Sequence, residues 1–172
     1  SECNSNVVVV LSGGSAVSMP WLYDVKAVLN GLLLGQAGGG ATFDVLTGKV
    51  NPSGKLSETY PLNLEDTPAR NNFPGTLLSV EYRESIFIGY RYYDKTEKDV
   101  LFPFGFGLSY TTFEYSDIKL SSKSIKDTDT VTVSFKVKNT GTVDGAEAAQ
   151  LYVSDVESTI YRPVKELRAF KK

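Results

Sequence analysis

A chain of 172 residues with no histidine has few side chains that can move a proton near neutral pH, so its carboxylates are the first place to look for chemistry. Two acids can divide the work of hydrolysis, one protonating a leaving group while the other attacks or stabilises the cation. Glu84 is the acid that position singles out. In "VEYRESIFIGYRYYD" one alternating phase holds Val80, Tyr82, Glu84, Ile86, Ile88, Tyr90 and Tyr92, which puts its carboxylate on the apolar face of a strand. Burial there would raise its pKa, as a general acid requires. The plainer reading is a structural ion pair with Arg91 or Arg83, and Glu84 and Arg91 stand as the buried-acid or cleft candidates. Asp24, Asp44, Glu65 and Asp66 read as capping and loop residues. Trp21 and Tyr23 could stack on a sugar ring, but beside Met19-Pro20 they read more simply as core.

Other chemistries fail on composition or spacing. Without an imidazole, the serine of "GGSAV" cannot belong to a Ser-His-Asp triad, and it reads as a turn residue. A single cysteine, Cys3, permits neither an internal disulfide nor a multi-cysteine zinc site, and no metal is expected. Gly35, Gly38, Gly39 and Gly40 lack the G-x-G-x-x-G spacing of a dinucleotide loop, and "GKVNPSGK" lacks that of a Walker loop, so no cofactor is expected. A net charge of −2 with interspersed signs argues against nucleic acid and anionic membranes as partners. No apolar stretch approaches the roughly 20 residues of a membrane helix. The start "SECNSN" has no signal pattern, which favours the cytoplasm for a chain whose amino-terminal portion is missing.

The elements that must hold these residues are of two kinds. "NVVVVL" reads as a parallel strand buried on both faces, and "VKAVLNGLLLG" as a second buried strand. "QAGGGATFDVLTG" reads as a helix packed tightly on that sheet and stopped by Gly48; "NPSG" then turns into a third short strand, "KLSETY". Residues 62–78 read as a surface loop. Beyond "FPFGFGLSYTTF" the pattern becomes antiparallel: Val131, Val133, Phe135 and Val137 alternate with Thr132, Ser134, Lys136 and Lys138. "TTFEYSDIKL" and "AAQLYVSD" read as companion strands of an immunoglobulin-like or fibronectin type III sandwich. Such a sandwich needs roughly 100 residues, more than the 60 from Phe113 to Lys172, so both cores are expected to be partial. The aromatic, glycine-punctuated segment would be packed between them. Exposed edges would be covered by a second copy or a swapped strand.

Taken in order, "VVVVLSGGSAVSMPWL", "GQAGGGATFDVLTGKVNPSGKLSETYP", "VEYRESIFIGYRYYD", "LFPFGFGLSYTTFEYS", "KVKNTGTVDGAEAAQLYV" and "RPVKELRAFKK" resemble the glycoside hydrolase family 3 β-glucosidases through nearly the whole chain. The resemblance implies an α/β plus β fold. Residues 1–101 would be the C-terminal part of an α/β sandwich domain (mostly parallel sheet with a flanking helix), 102–112 an aromatic junction, and 113–172 the N-terminal part of a fibronectin type III-like domain. It also implies a retaining hydrolase acting on terminal β-glucosyl residues of a β-glucoside or oligosaccharide. The nucleophilic aspartate would lie on a barrel domain absent from this chain, and the acid/base glutamate upstream of "NVVVV", so no catalytic role transfers to any residue here and the segment alone is expected to be inactive. Ser85 stands where the family often has glycine, Phe106 where it has His or Tyr, and Ala37 where it has Glu. The alternatives are a non-catalytic carbohydrate-binding or adhesion module, and a xylosidase or hexosaminidase of the same family.

Overall fold

The computed structural model describes residues 3–172. Its first layer is a parallel pair, β1 (Val8–Leu11) with β2 (Ala27–Asn30), in the register Val8↔Ala27 to Leu11↔Asn30. Parallel pairing needs a crossover, and residues 12–26 provide it, with a 3₁₀ turn at Leu22–Asp24. The strand pattern is as expected, but its double burial is not: Val8 and Val10 are 47% and 41% exposed, because nothing in the described chain packs on that face. The second apolar run is strand only as far as Asn30. The Asn30 side chain then accepts a hydrogen bond from Leu32 N, and Leu32 takes a φ of 52°, ending the extended conformation. Met19 is buried, whereas Tyr23 projects into solvent rather than joining a core.

Helix α1 (Gly38–Leu46) forms where the small residues and helical spacing place it. It stops at Gly48, whose φ of +75° suits a residue without a Cβ and whose N–H donates to Val45 O. The tight packing expected of its glycines occurs only at Gly38, which is buried and where a Cβ would collide with the Leu34 side chain; Gly39 and Gly40 face open space, and Phe43 and Leu46 are exposed. The third strand shrinks to β3 (Tyr60–Pro61), paired antiparallel with β4 (Val100–Phe102).

The largest departure lies at residues 80–89. The alternation there does not make a strand. Ser85 and Gly89 both have positive φ (53° and 52°), Phe87 N donates to Glu84 O, and the chain turns into α2 (Tyr90–Thr96). Tyr90 and Tyr93, three apart, share the inward face of that helix, and Tyr93 is buried. A period of two and a period of three coincide over so short a tyrosine-rich run, which is why the sequence misled.

The carboxyl-terminal part is all β. Strand β5 (Phe113–Leu120) pairs antiparallel with β6 (Val133–Asn139), and β7 (Ala149–Val153) with β8 (Glu166–Lys171). Asn139 holds the turn after β6, accepting from Thr111 Oγ1 and Gly141 N and donating to Val143 O. All four sheets among the described residues are two-stranded, so every one carries open edges. The molecule exposes 12,923 Å², whereas a self-contained globular chain of this mass exposes about 8,300 Å². Of the large apolar side chains described, only Met19, Tyr60 and Tyr93 are buried. Both cores are therefore incomplete as they stand.

Candidate functional site at the aromatic junction

The segment Pro103–Gly107 joins the two parts by sending its aromatic rings in opposite directions. Phe106 N donates to Pro103 O, and Gly105, at φ +80°, completes the turn. On one side Phe102 stacks on Phe106 (centroids 5.1 Å apart) and meets the buried Tyr60 edge-on. On the other, Phe104 lies 4.9 Å from the Tyr90 ring, which meets Tyr152 of β7 edge-on at 5.9 Å. Aromatic pairs of this geometry add roughly 0.5–1.5 kcal/mol each beyond the area they bury.

The two glycines are required by what approaches them. A Cβ on Gly105 would collide with the Gln150 amide, whose Nε2 donates to Gly105 O. A Cβ on Gly107 would collide with the carbonyl oxygen of Gly54, backbone against backbone. "NPSGK" thus closes the junction rather than merely turning the chain. Asn51 Oδ1 accepts from Tyr110 N and Ser109 Oγ while its Nδ2 donates to Asp144 O. Lys55 Nζ donates to Gly107 O at 2.7 Å and pairs with Glu147 at 3.1 Å. With side chains only 16% and 18% exposed, Lys55 and Glu147 form the best-shielded ion pair described. Tyr115 OH donates to the other oxygen of Glu147.

Above this clamp lies an open cavity of about 480 Å³ lined by Thr59, Tyr90, Tyr93, Asp94, Phe104, Tyr115, Glu147, Tyr152 and Lys165 among others. Both of its acids face lysines: Glu147 pairs with Lys55, and Asp94 Oδ2 lies 3.2 Å from Lys165 Nζ in an ion pair that makes no hydrogen bond. Burial raises the pKa of the Tyr93, Tyr115 and Tyr152 phenols, Glu147 adding to the effect at Tyr115 and Asp94 at Tyr152. These phenols are neutral hydroxyls at physiological pH. Two carboxylates each tied to a lysine, ringed by neutral phenols, do not make the free acid and base that glycoside hydrolysis needs. The arrangement is suited to holding two bodies together.

The sequence candidates are not brought together. Arg91, on α2, pairs with Glu166 of β8 at 3.4 Å and lies 5.9 Å from the Tyr90 ring. Arg83 pairs with Glu81. Neither arginine bonds Glu84, so the expected ion pair does not form; the Glu84 side chain is half-buried with Oε2 unpartnered. Among the lesser candidates, Asp66 caps the 3₁₀ turn at Leu64–Asp66 and bonds Lys98 at 3.2 Å, and Asp44 pairs with Lys49. The residues that sequence reasoning missed are Asn51, Lys55, Glu147 and Gln150. Gln150 had a signal, a lone amide between apolar neighbours in the phase of Tyr152. Among the described residues no acid, cysteine and histidine cluster suits a metal, and no helix is long and apolar enough to cross a membrane.

Comparison with known proteins agrees with this two-part reading. Residues 1–110 match the model of the glycosyl hydrolase family 3 C-terminal domain, and residues 147–172 that of the fibronectin type III-like domain. The chain is 56% identical over its full length to thermostable beta-glucosidase B of Acetivibrio thermocellus, covering 23% of that protein. It is 46% identical over its full length to an exo-alpha-(1->6)-L-arabinopyranosidase of Bifidobacterium breve, covering 22%. The crystal structure of a family 3 beta-glucosidase from Bifidobacterium adolescentis superposes on 98% of the chain with a TM-score of 0.91 at 47% identity, the chain covering 25% of it. The chain thus spans under a quarter of the length of the curated relatives it matches.

Proposed function

Because the chain belongs to glycoside hydrolase family 3, we propose that it is the C-terminal portion of a longer β-glucosidase, one that removes terminal β-D-glucosyl residues with retention, and that it supplies structure rather than the reacting carboxylates. The observation that carries this reading is the full-length 56% identity to a beta-glucosidase of which the chain is 23%. The site geometry supports it from the other side. Each acid at the junction cavity is committed to a lysine, and the described surface exceeds that of a self-contained chain by about 4,600 Å². Residues 1–101 are the end of the α/β sandwich domain, 102–112 the junction and 113–172 the opening of the fibronectin type III-like domain. Lys55–Glu147, Arg91–Glu166 and Asp94–Lys165 all bridge the first part to the last. Arg91 is a structural tie across the junction, and Glu84 a loop acid with no reacting partner.

The test is an assay of the longer polypeptide and of the 172-residue chain side by side on an aryl β-D-glucopyranoside. Turnover is expected from the longer polypeptide alone. Comparable turnover by the short chain refutes the proposal. An aryl α-L-arabinopyranoside belongs in the same assay, because the 46% identity to an arabinopyranosidase leaves this segment unable to choose between the two sugars. If the arabinopyranoside is the better substrate, the glucosidase reading gives way and the structural role stands.

A further inference from the structure

Two positions set a glycine directly after a side chain that its nitrogen can attack: Asn30-Gly31 and Asp144-Gly145. With no Cβ, glycine is the least hindered nucleophile among backbone amides. The fold treats the two pairs in opposite ways. Asn30 ends β2, where its Nδ2 donates to the hydroxyl of the buried Tyr60 at 2.7 Å and its Oδ1 accepts from Leu32 N at 3.1 Å. Gly31 N itself donates to Leu11 O at 2.9 Å. Electrophile and nucleophile are both held. Asp144 instead sits exposed in the irregular connection between β6 and β7. Among the described residues its carboxylate takes part in no hydrogen bond or ion pair, and Gly145 N donates to nothing. Yet glycine is required at 145, because a Cβ there would fall 2.6 Å from Asn51 Nδ2 and 2.9 Å from Thr111 Cγ2. Packing at the clamp thus demands the residue that leaves its own nitrogen most reactive.

We propose that Asp144 is a site of spontaneous isoaspartate formation, and that this modification releases the Asn51 clamp. Gly145 N bonds to Asp144 Cγ, a Cγ–O bond breaks, and the amide proton leaves with the hydroxyl as water, giving a succinimide. A second water then opens the ring. Opening at Cγ restores aspartate. Opening at the main-chain carbonyl carbon leaves the chain running through Cβ and Cγ, one methylene longer, with the former main-chain carbonyl now a free carboxylate. That carbonyl is the one that accepts from Asn51 Nδ2 at 3.0 Å. Asn51 also accepts from Ser109 Oγ and Tyr110 N, so it ties the end of the aromatic junction to residue 144. A longer backbone at 144 takes its acceptor out of register.

The experiment incubates the longer polypeptide at neutral pH, folded and in urea, and maps isoaspartate along the digested chain by methyl transfer from an isoaspartyl methyltransferase and mass spectrometry. In the folded protein, residue 144 is expected to accumulate isoaspartate at least about tenfold faster than residue 30, the ratio that about 1.4 kcal/mol of local opening at β2 provides. In urea both residues react. Asp144→Glu, whose side chain would have to close a slower six-membered ring, is expected to lose the signal at 144. The urea transition of the junction tyrosines should move to lower denaturant as the unmodified protein accumulates isoaspartate, and stay in place in Asp144→Glu. Absence of isoaspartate at 144 in the folded protein overturns the proposal, whatever the urea sample shows. Equal rates at 30 and 144 in the folded protein overturn the selection by hydrogen bonds. An unmoved transition in fully modified protein overturns release of the clamp. Glycosidase turnover enters none of these readings and is scored separately.

Discussion

Replacing Gly107 with alanine should open the junction, and replacing Gly40 with alanine should not. At Gly107 the new Cβ falls inside the contact distance of Gly54 O, with Lys55 Cδ 3.0 Å away, so relief requires the backbone of "NPSGK" to move. Overpacking of a rigid contact costs about 1–3 kcal/mol. The displacement also pulls Lys55 Nζ away from Gly107 O, now at 2.7 Å, a charge-assisted bond of about 1.5–3 kcal/mol. We expect a combined loss of at least about 2 kcal/mol. At Gly40, inside α1, nothing lies within 4 Å of the added methyl. The same substitution there should gain about 0.5–1 kcal/mol by reducing backbone entropy in the unfolded state. Urea unfolding of the longer polypeptide carrying this chain, followed at the transition that releases the junction tyrosines, gives both values. Equal effects of the two substitutions, or a Gly107→Ala change below about 0.5 kcal/mol, would refute the argument that close approach, rather than glycine content, defines the junction.

The remaining expectations are more local. Ser85, held at φ +53°, should yield a protein more stable by up to about 1 kcal/mol on Ser85→Gly, since left-handed backbone costs a residue with a Cβ; a lower melting temperature would show that the Ser85 side chain is needed instead. Lys55→Met should weaken the attachment of the β5–β8 region by about 1–3 kcal/mol, leaving Glu147 shielded with only Tyr115 as donor, while Lys55→Met combined with Glu147→Gln should recover part of the loss; a strictly additive double mutant would contradict direct coupling. The Lys98 hydrogen bond, with that from Asn63, depresses the Asp66 carboxyl below its ordinary 3.8, and the Asp66 bond raises Lys98 above 10.5. The Asp66 contribution is thus full above pH 3.8 and lost as pH falls through the depressed value. That of Lys98 is full below 10.5 and lost as pH rises through the raised one. Lys98→Met should flatten both limbs, and stability-versus-pH curves that overlay those of the unmodified protein would refute the pairing.

How much was legible beforehand depended on whether a signal was local. The β-branched run at residues 7–11 and the strict alternation at 131–138 announced β1 and β6, because a strand's period of two is a local rule. Gly48 announced the end of α1 for the same reason. The segment at residues 80–92 did not give itself away, since its alternation also fits a turn followed by one helical face, and the positive φ of Ser85 is set by neighbours the sequence does not name. Glu84 was singled out from that same false strand. The true polar residues of the junction, Asn51, Lys55, Glu147 and Gln150, are spread over a hundred positions, and nothing in their local spacing links them.

By itself, then, the amino-acid order determined the kind of chain this is: its family, its two-part α/β and β character, the absence of histidine chemistry, and an aromatic segment too glycine-rich for a regular element. Tertiary structure alone decided which atoms fill that segment's gaps. Gly107 meets Gly54 and Gly105 meets Gln150 because folding brings together residues 53 and 45 positions apart. Short-range preferences are written in neighbouring residues; the distances at which a carbonyl excludes a methyl or a lysine reaches a glutamate are set only once the chain has closed on itself.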